Sequence, residues 1–209
     1  MKENYPNFKA LILLSTCFLF LFIGFNIASN TSTKSLRDNE FANLGYYSQS
    51  LLYLSFCFGS IIAPQMIRRF SPNTAMLLAS FTYALWIVSL ALTTYLLRNT
   101  DFTTTQITVI VLMISFLCGF GPSLLWVAQG KYLSDCCQEA LDKKGFYSAI
   151  FVIMMCFSQI LSSLWSAFLI EHVVHGDTEK LFMIAVFISL ISSVLFAFAL
   201  PKNITKQTE

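Results

Sequence analysis

The chain has 209 residues, of which 56% are hydrophobic and 11% charged, and a formal net charge of +2. Soluble domains carry about 25% charged residues, so the composition excludes an ordinary soluble globular domain. The small net charge gives no ground for a nucleic-acid partner, and a mean hydropathy of +0.67 points to the lipid bilayer.

Six stretches contain no Lys, Arg, Asp or Glu: 10–33, 41–67, 70–97, 102–130, 145–170 and 181–201. A bilayer core of about 30 Å needs about 20 apolar residues in helix. A charge at mid-membrane costs at least about 2.5 kcal/mol. The pattern predicts an all-α integral membrane protein. Six transmembrane helices form a single domain over 1–209, at about 10–28, 44–67, 74–97, 105–129, 146–170 and 181–200. Lys2 and Lys9 precede the first run as they would in a signal peptide. The run is too long for that and lacks a clean cleavage site, so it reads as the first helix.

Along the chain, Asn26, Ser29, Asn30 and Thr33 share one face at the end of the first helix. With Tyr46, Ser48 and Gln49 they either line a polar cavity or lie in the headgroup layer. The second helix carries Tyr53 and an internal Pro64, and Arg68-Arg69 follow it. Ser71-Pro72-Asn73 and Gly176-Asp177-Thr178 read as turns opening the third and sixth helices. Their equivalent places hint at a three-plus-three repeat. Pro122, flanked by Gly119 and Gly121, predicts a kink in the fourth helix. Trp126 and Gln129 sit toward its inner end, and Gln159 lies deep in the fifth. These three read first as packing and anchoring residues, then as part of a gate or cavity.

Four of six cysteines fall within spans; Cys136 and Cys137 are adjacent in a loop, where acylation is conceivable but unmodified thiols are expected. His172-x-x-His175 reads as a solvated pair rather than a metal site. The sequons at Asn30 and Asn203 are not expected to carry glycan. The sequence has no catalytic or cofactor-binding motif, so neither an enzyme nor a cofactor is expected. Of 13 Lys and Arg, nine fall on the side of the termini and four on the other. The positive-inside rule then places both termini in the cytoplasm or its equivalent.

The fourth helix and its exit read Gly119-Phe120-Gly121-Pro122-Ser123-Leu124-Leu125-Trp126-Val127-Ala128-Gln129-Gly130-Lys131-Tyr132-Leu133. This resembles the G-x-G-x-x-x-L-W-x-A-Q-G-x-Y-L signature of the Unc-ninety-three branch of the major facilitator superfamily. Gly45-Tyr46, Tyr53 and Ala63-Pro64 are similar to that family's second helix, and Gly145-Phe146 with Ile150-Phe151 to its fifth. The resemblance implies half of a major facilitator fold, the N-terminal six helices of a family that has twelve. Its members include transporter-like proteins, potassium-channel regulators and a receptor chaperone.

The chain departs from the pattern in the fifth helix. Val152 replaces a family Gln, and Ser158-Gln159 stand where Gly-Asn is usual. The resemblance and the lack of intramembrane charge together suggest a non-catalytic accessory or regulatory subunit, or a trafficking partner, of a larger membrane complex. The alternative is a small-solute transporter acting as a homodimer or with a separate second half. The partners expected are the bilayer and another membrane polypeptide. The candidate cavity or interface residues are Asn26, Asn30, Tyr53, Pro64, Gly119, Gly121, Pro122, Trp126, Gln129 and Gln159.

Overall fold

The computed structural model describes residues 5–174 and 177–201, without the side chains of Thr94 and Arg98. Lys2, His175, Gly176, Lys202, Lys206 and the Asn203 sequon lie outside the described residues. The first three spans are α1 (Phe8–Asp38), α2 (Leu44–Ile67) and α3 (Pro72–Asn99). The fourth consists of α4 (Thr104–Cys118) and α5 (Phe120–Cys136). The fifth runs through a 3₁₀ turn (Leu141–Lys143), α6 (Lys144–Phe168) and a π turn (Leu169–Val173). The sixth is α7 (Thr178–Phe198), and each of the six is long and apolar enough to cross a membrane.

Hydrocarbon offers no hydrogen-bond partners, so the backbone must satisfy itself, which a helix does. Hydroxyls within α1 follow the same rule near its start. Ser15 donates to the Leu11 carbonyl at 2.9 Å and Thr16 to Ile12 at 2.8 Å. The starts of α3, α4 and α7 carry side-chain caps where the chain leaves the apolar layer. Ser71 accepts from the Thr74 amide at 3.2 Å with Pro72 at the first helical position. Thr103 and Gln106 form a capping box, and Asp177 caps α7.

Two elements differ from the expected boundaries. The first helix does not stop at Ala28 but continues to Asp38. Its polar stretch stays helical because the side chains bond back along the helix: Thr31 donates to Ile27 at 2.7 Å and Ser32 to Ser29 at 3.0 Å. The fourth span is interrupted at Gly119, ahead of Pro122, which sits in the first turn of α5. Proline has no N–H for the Cys118 carbonyl, four residues back, so the interruption falls between them.

The packing exchanges the two triplets of helices. The first span lies against the fifth and sixth, and the fourth against the second and third, while α3 and α7 face each other. The closest approaches obey the same exchange. A Cβ on Gly24 would strike the Ala185 carbonyl and Ser189 of α7, and one on Gly121 would strike Thr82 of α3. At the centre, where a triplet meets its counterpart, Ser80 of α3 donates to Ser193 of α7 at 2.8 Å. The expected three-plus-three repeat is thus present as packing: six helices in the arrangement of half a major facilitator.

Both described chain ends lie at the same end of the bundle. The Tyr147 hydroxyl donates to the Pro6 carbonyl, and Asn73 donates to Leu200 at 3.3 Å and Pro201 at 3.1 Å.

Candidate functional site

The ten candidate residues do not form one site. Gly119, Gly121, Pro122 and Gln129 are buried inside the bundle. Gly119 leaves room for Ser55 and the Leu52 carbonyl of α2, and Gly121 for the Thr82 hydroxyl. These glycines therefore bring the fourth span close to its own neighbours instead of offering an open face. Trp126 belongs to an aromatic cluster, with ring centroids 5.8 Å from Phe18, 5.7 Å from Phe22 and 6.4 Å from Phe151. It packs against α1 and α6.

The polar row of α1 divides. Asn26 is buried. Gln49 of α2 donates to the Ser29 carbonyl at 2.8 Å and to the Ser32 hydroxyl at 3.0 Å. Ser48 lies in a hydrogen-bonded chain through three helices. Trp86 donates to Ser48 at 3.0 Å, and Ser48 and Ser115 stand 2.8 Å apart. Ser115 directs its own proton to the Val111 carbonyl at 2.7 Å, so Ser48 donates to Ser115. These groups close the contacts of α2 with α1, α3 and α4.

Asn30 faces the other way, into a cavity of about 370 Å³ at the end of the bundle opposite the termini. Lys34, Ser35 and Asp38 of α1, Ile170 of the π turn and Leu181 of α7 share its wall with Asp177. Burial pushes the Asp177 carboxyl up, but the hydrogen bonds and charge of Lys180 outweigh it and hold the group below its usual range. The Lys180 ammonium stands 3.2 Å from that carboxylate.

Tyr53, Pro64 and Gln159 lie on outer faces. They belong to α2 and the fifth span, the two least buried of the six spans. Each of these helices carries two exposed seams of seven-residue period. On α6 one seam reads Gly145, Ala149, Val152, Cys156, Gln159, Ser163, Ala167, and the other Phe146, Ile153, Phe157, Ile160, Leu164. On α2 the first reads Tyr46, Ser50, Tyr53, Cys57, Ser60, Pro64, and the second Tyr47, Leu54, Phe58, Ile61. The first seam of α6 is built of small side chains with Val152 and Gln159, and that of α2 sets small side chains among Tyr46 and Tyr53; each stands beside a seam of bulkier, mostly apolar side chains.

The bulky seam suits lipid. The other does not: an amide near the middle of a span and a row of small residues gain contact only against protein. Pro64 adds a polar group there, because it has no N–H for the Ser60 carbonyl on the same seam. Reading the sequence one residue at a time missed these seams. The signal was the spacing of four and three residues from Gly145 to Ala167.

Cys136 and Cys137 are completely buried, which removes them from the surface where acylation would act. Burial also pushes the Cys137 thiol up against the opposing charge of Lys144. The Asn30 sequon lies within helical α1, where the Thr31 hydroxyl is committed to Ile27. Among the described residues no three His, Cys, Asp or Glu side chains converge as metal ligands. His172 stacks on Phe168 at 4.9 Å.

No solved structure matches the chain. UNC93-like protein MFSD11 of Xenopus tropicalis is 26% identical over 94% of the chain and 42% of its own length. UNC93-like protein 3 of Arabidopsis thaliana is 28% identical over 65% of the chain and 25% of its own. The putative potassium channel regulatory protein unc-93 of Caenorhabditis elegans is 32% identical over 64% of the chain and 17% of its own. The chain thus spans less than half the length of these relatives. The model of the family described as ion channel regulatory protein UNC-93 matches residues 38–209, from the end of α1 through α7, and the chain belongs to that family.

Proposed function

We propose that the chain is a non-catalytic regulatory or accessory element of a membrane assembly. Its α2 and α6 small seams pack against a second membrane-embedded helical bundle. The observation that carries this is the division of both exposed helices into a small, partly polar seam and a bulky seam of equal period. Family membership supports the regulatory reading, as does the name potassium channel regulatory protein borne by the nematode relative. The second bundle is one that presents small residues at matching spacing, whether in the same polypeptide or another.

A photo-crosslinker at Ser163 or Ser60 is expected to trap a stoichiometric membrane polypeptide, while one at Phe157 traps lipid. Equal trapping of protein at both seams, or at neither, would reject the interface. The exposed amide of Gln159 also supports a second reading, a neutral-solute pathway walled by two bundles. That reading gains if the trapped species is a second copy of this chain and purified vesicles carry flux.

The end of the bundle holding Pro6 and Pro201 is inferred to face the cytoplasm, on the excess of Lys and Arg there. Cysteine at Asp142 should then be labelled only from the cytoplasmic side, and cysteine at Asp101 only from the other; the reverse pattern inverts the orientation.

A further inference from the structure

The end cavity beside α1 uses neither docking seam, and its chemistry is distinct. The charge-free run of α1 ends at Thr33, so Lys34 and Asp38 stand at headgroup depth. They lie one turn apart on the same helix face, with Cβ atoms about 6 Å from each other. Both line the cavity. Among the described residues neither forms an ion pair, and the Asp177 charge is already engaged by Lys180. Among the described residues the cavity therefore presents Lys34 as an available cation and Asp38 as an available carboxylate.

Behind this wall, the Ser35 hydroxyl is shut from solvent and, among the described residues, has no hydrogen-bond partner. Asn30 adds an amide with donors and an acceptor. Ile170 and Leu181 supply an apolar side. The π turn at residues 169–173 carries Ile170 into this wall, and such turns recur at functional sites.

We propose that this cavity binds a phosphoethanolamine group, its phosphate at Lys34 and its ammonium at Asp38. A purely anionic group would satisfy Lys34 but confront Asp38. A purely cationic group would do the reverse. A zwitterion meets both charges, and its phosphate oxygens accept from the Asn30 amide. The group reaches the cavity either as the head of a phospholipid, whose glycerol and first methylenes lie along Ile170 and Leu181, or as a free solute.

The test is native mass spectrometry of the full chain in mild detergent. The probes are dioleoylphosphatidylethanolamine, dioleoylphosphatidylglycerol and free phosphoethanolamine. The proposal expects phosphatidylethanolamine to be retained over phosphatidylglycerol. Lys34→Gln and Asp38→Asn should each weaken retention about fivefold, the effect of one lost charge at a membrane surface. Lys131→Ala, at the opposite end, should leave it unchanged. Both variants replace exposed side chains, and an unchanged melting temperature confirms their fold. Binding of free phosphoethanolamine with the same variant pattern would keep the site and assign it to a solute. Equal retention of phosphatidylglycerol, or a phosphatidylethanolamine signal indifferent to Asp38→Asn, would overturn the proposal.

Discussion

Ser48 shows how a single hydroxyl acquires weight in a membrane bundle. In the sequence it is one of several polar residues at the start of a span. In the structure it accepts the only N–H of the Trp86 side chain and passes its own proton to Ser115. Trp86 is completely buried, so its N–H has no water to turn to. Ser48→Ala would leave that donor unpaired, at a cost of about 1–3 kcal/mol. Ser50→Ala, on the exposed small seam two residues away, removes a hydroxyl of the same kind without orphaning a buried group. Thermal unfolding in detergent should therefore lower the midpoint clearly for Ser48→Ala and little for Ser50→Ala. Equal shifts would mean that the Trp86 bond contributes nothing. The sequence marks such residues as polar; it does not show which of them are paired, because pairing depends on which helices meet.

At the scale of the element, the fourth span illustrates what the motif conveys and what it conceals. The glycines around Pro122 announce close approach, and the sequence alone leaves open whether another polypeptide or this bundle approaches. The structure answers with Thr82 at Gly121 and Ser55 at Gly119. On the two least buried spans, the second and the fifth, the exposed seams of α2 and α6 keep a seven-residue period that stands in the sequence. It was hidden because every residue of the small seam is unremarkable alone. Gly121→Leu is therefore expected to damage the fold before it damages any assembly. Overpacking a tight helix contact costs about 1–3 kcal/mol. The folded monodisperse fraction, followed by fluorescence-detected size exclusion, should fall for Gly121→Leu. Thr82→Ala should restore part of it for Gly121→Ala, because it removes the Thr82 hydroxyl and methyl and leaves only the Thr82 Cβ in the way. Gly121→Leu accumulating like the parent would return that glycine to the surface.

Across the whole molecule, the desolvation cost of charge made the six spans readable, since Lys, Arg, Asp and Glu had to stay outside them. It could not reveal that α1 runs to Asp38, because hydroxyls and amides are tolerated in helix at headgroup depth. Nor could it reveal which helices touch: lipid tails are as apolar as leucine, so hydropathy carries no preference between a lipid and a helix as neighbour. That choice is made by small residues and hydrogen bonds, and here it exchanges the triplets. The first span has its main contacts in the second triplet and the fourth span in the first. Each triplet alone would therefore lose the partners of its most enclosed helix. Gly24 would face lipid instead of the Ala185 backbone, Gly121 would lose Thr82, and the Ser80–Ser193 bond would be gone. Dividing the chain in the loop after Thr100 and producing the two pieces separately should yield two unstable products, each cleared by the cell. Producing them together should restore a co-purifying pair that melts as one unit, because the contacts that cross the division are the ones that hold the bundle. A first triplet that accumulates and melts like the intact chain on its own would show that the packing is not exchanged.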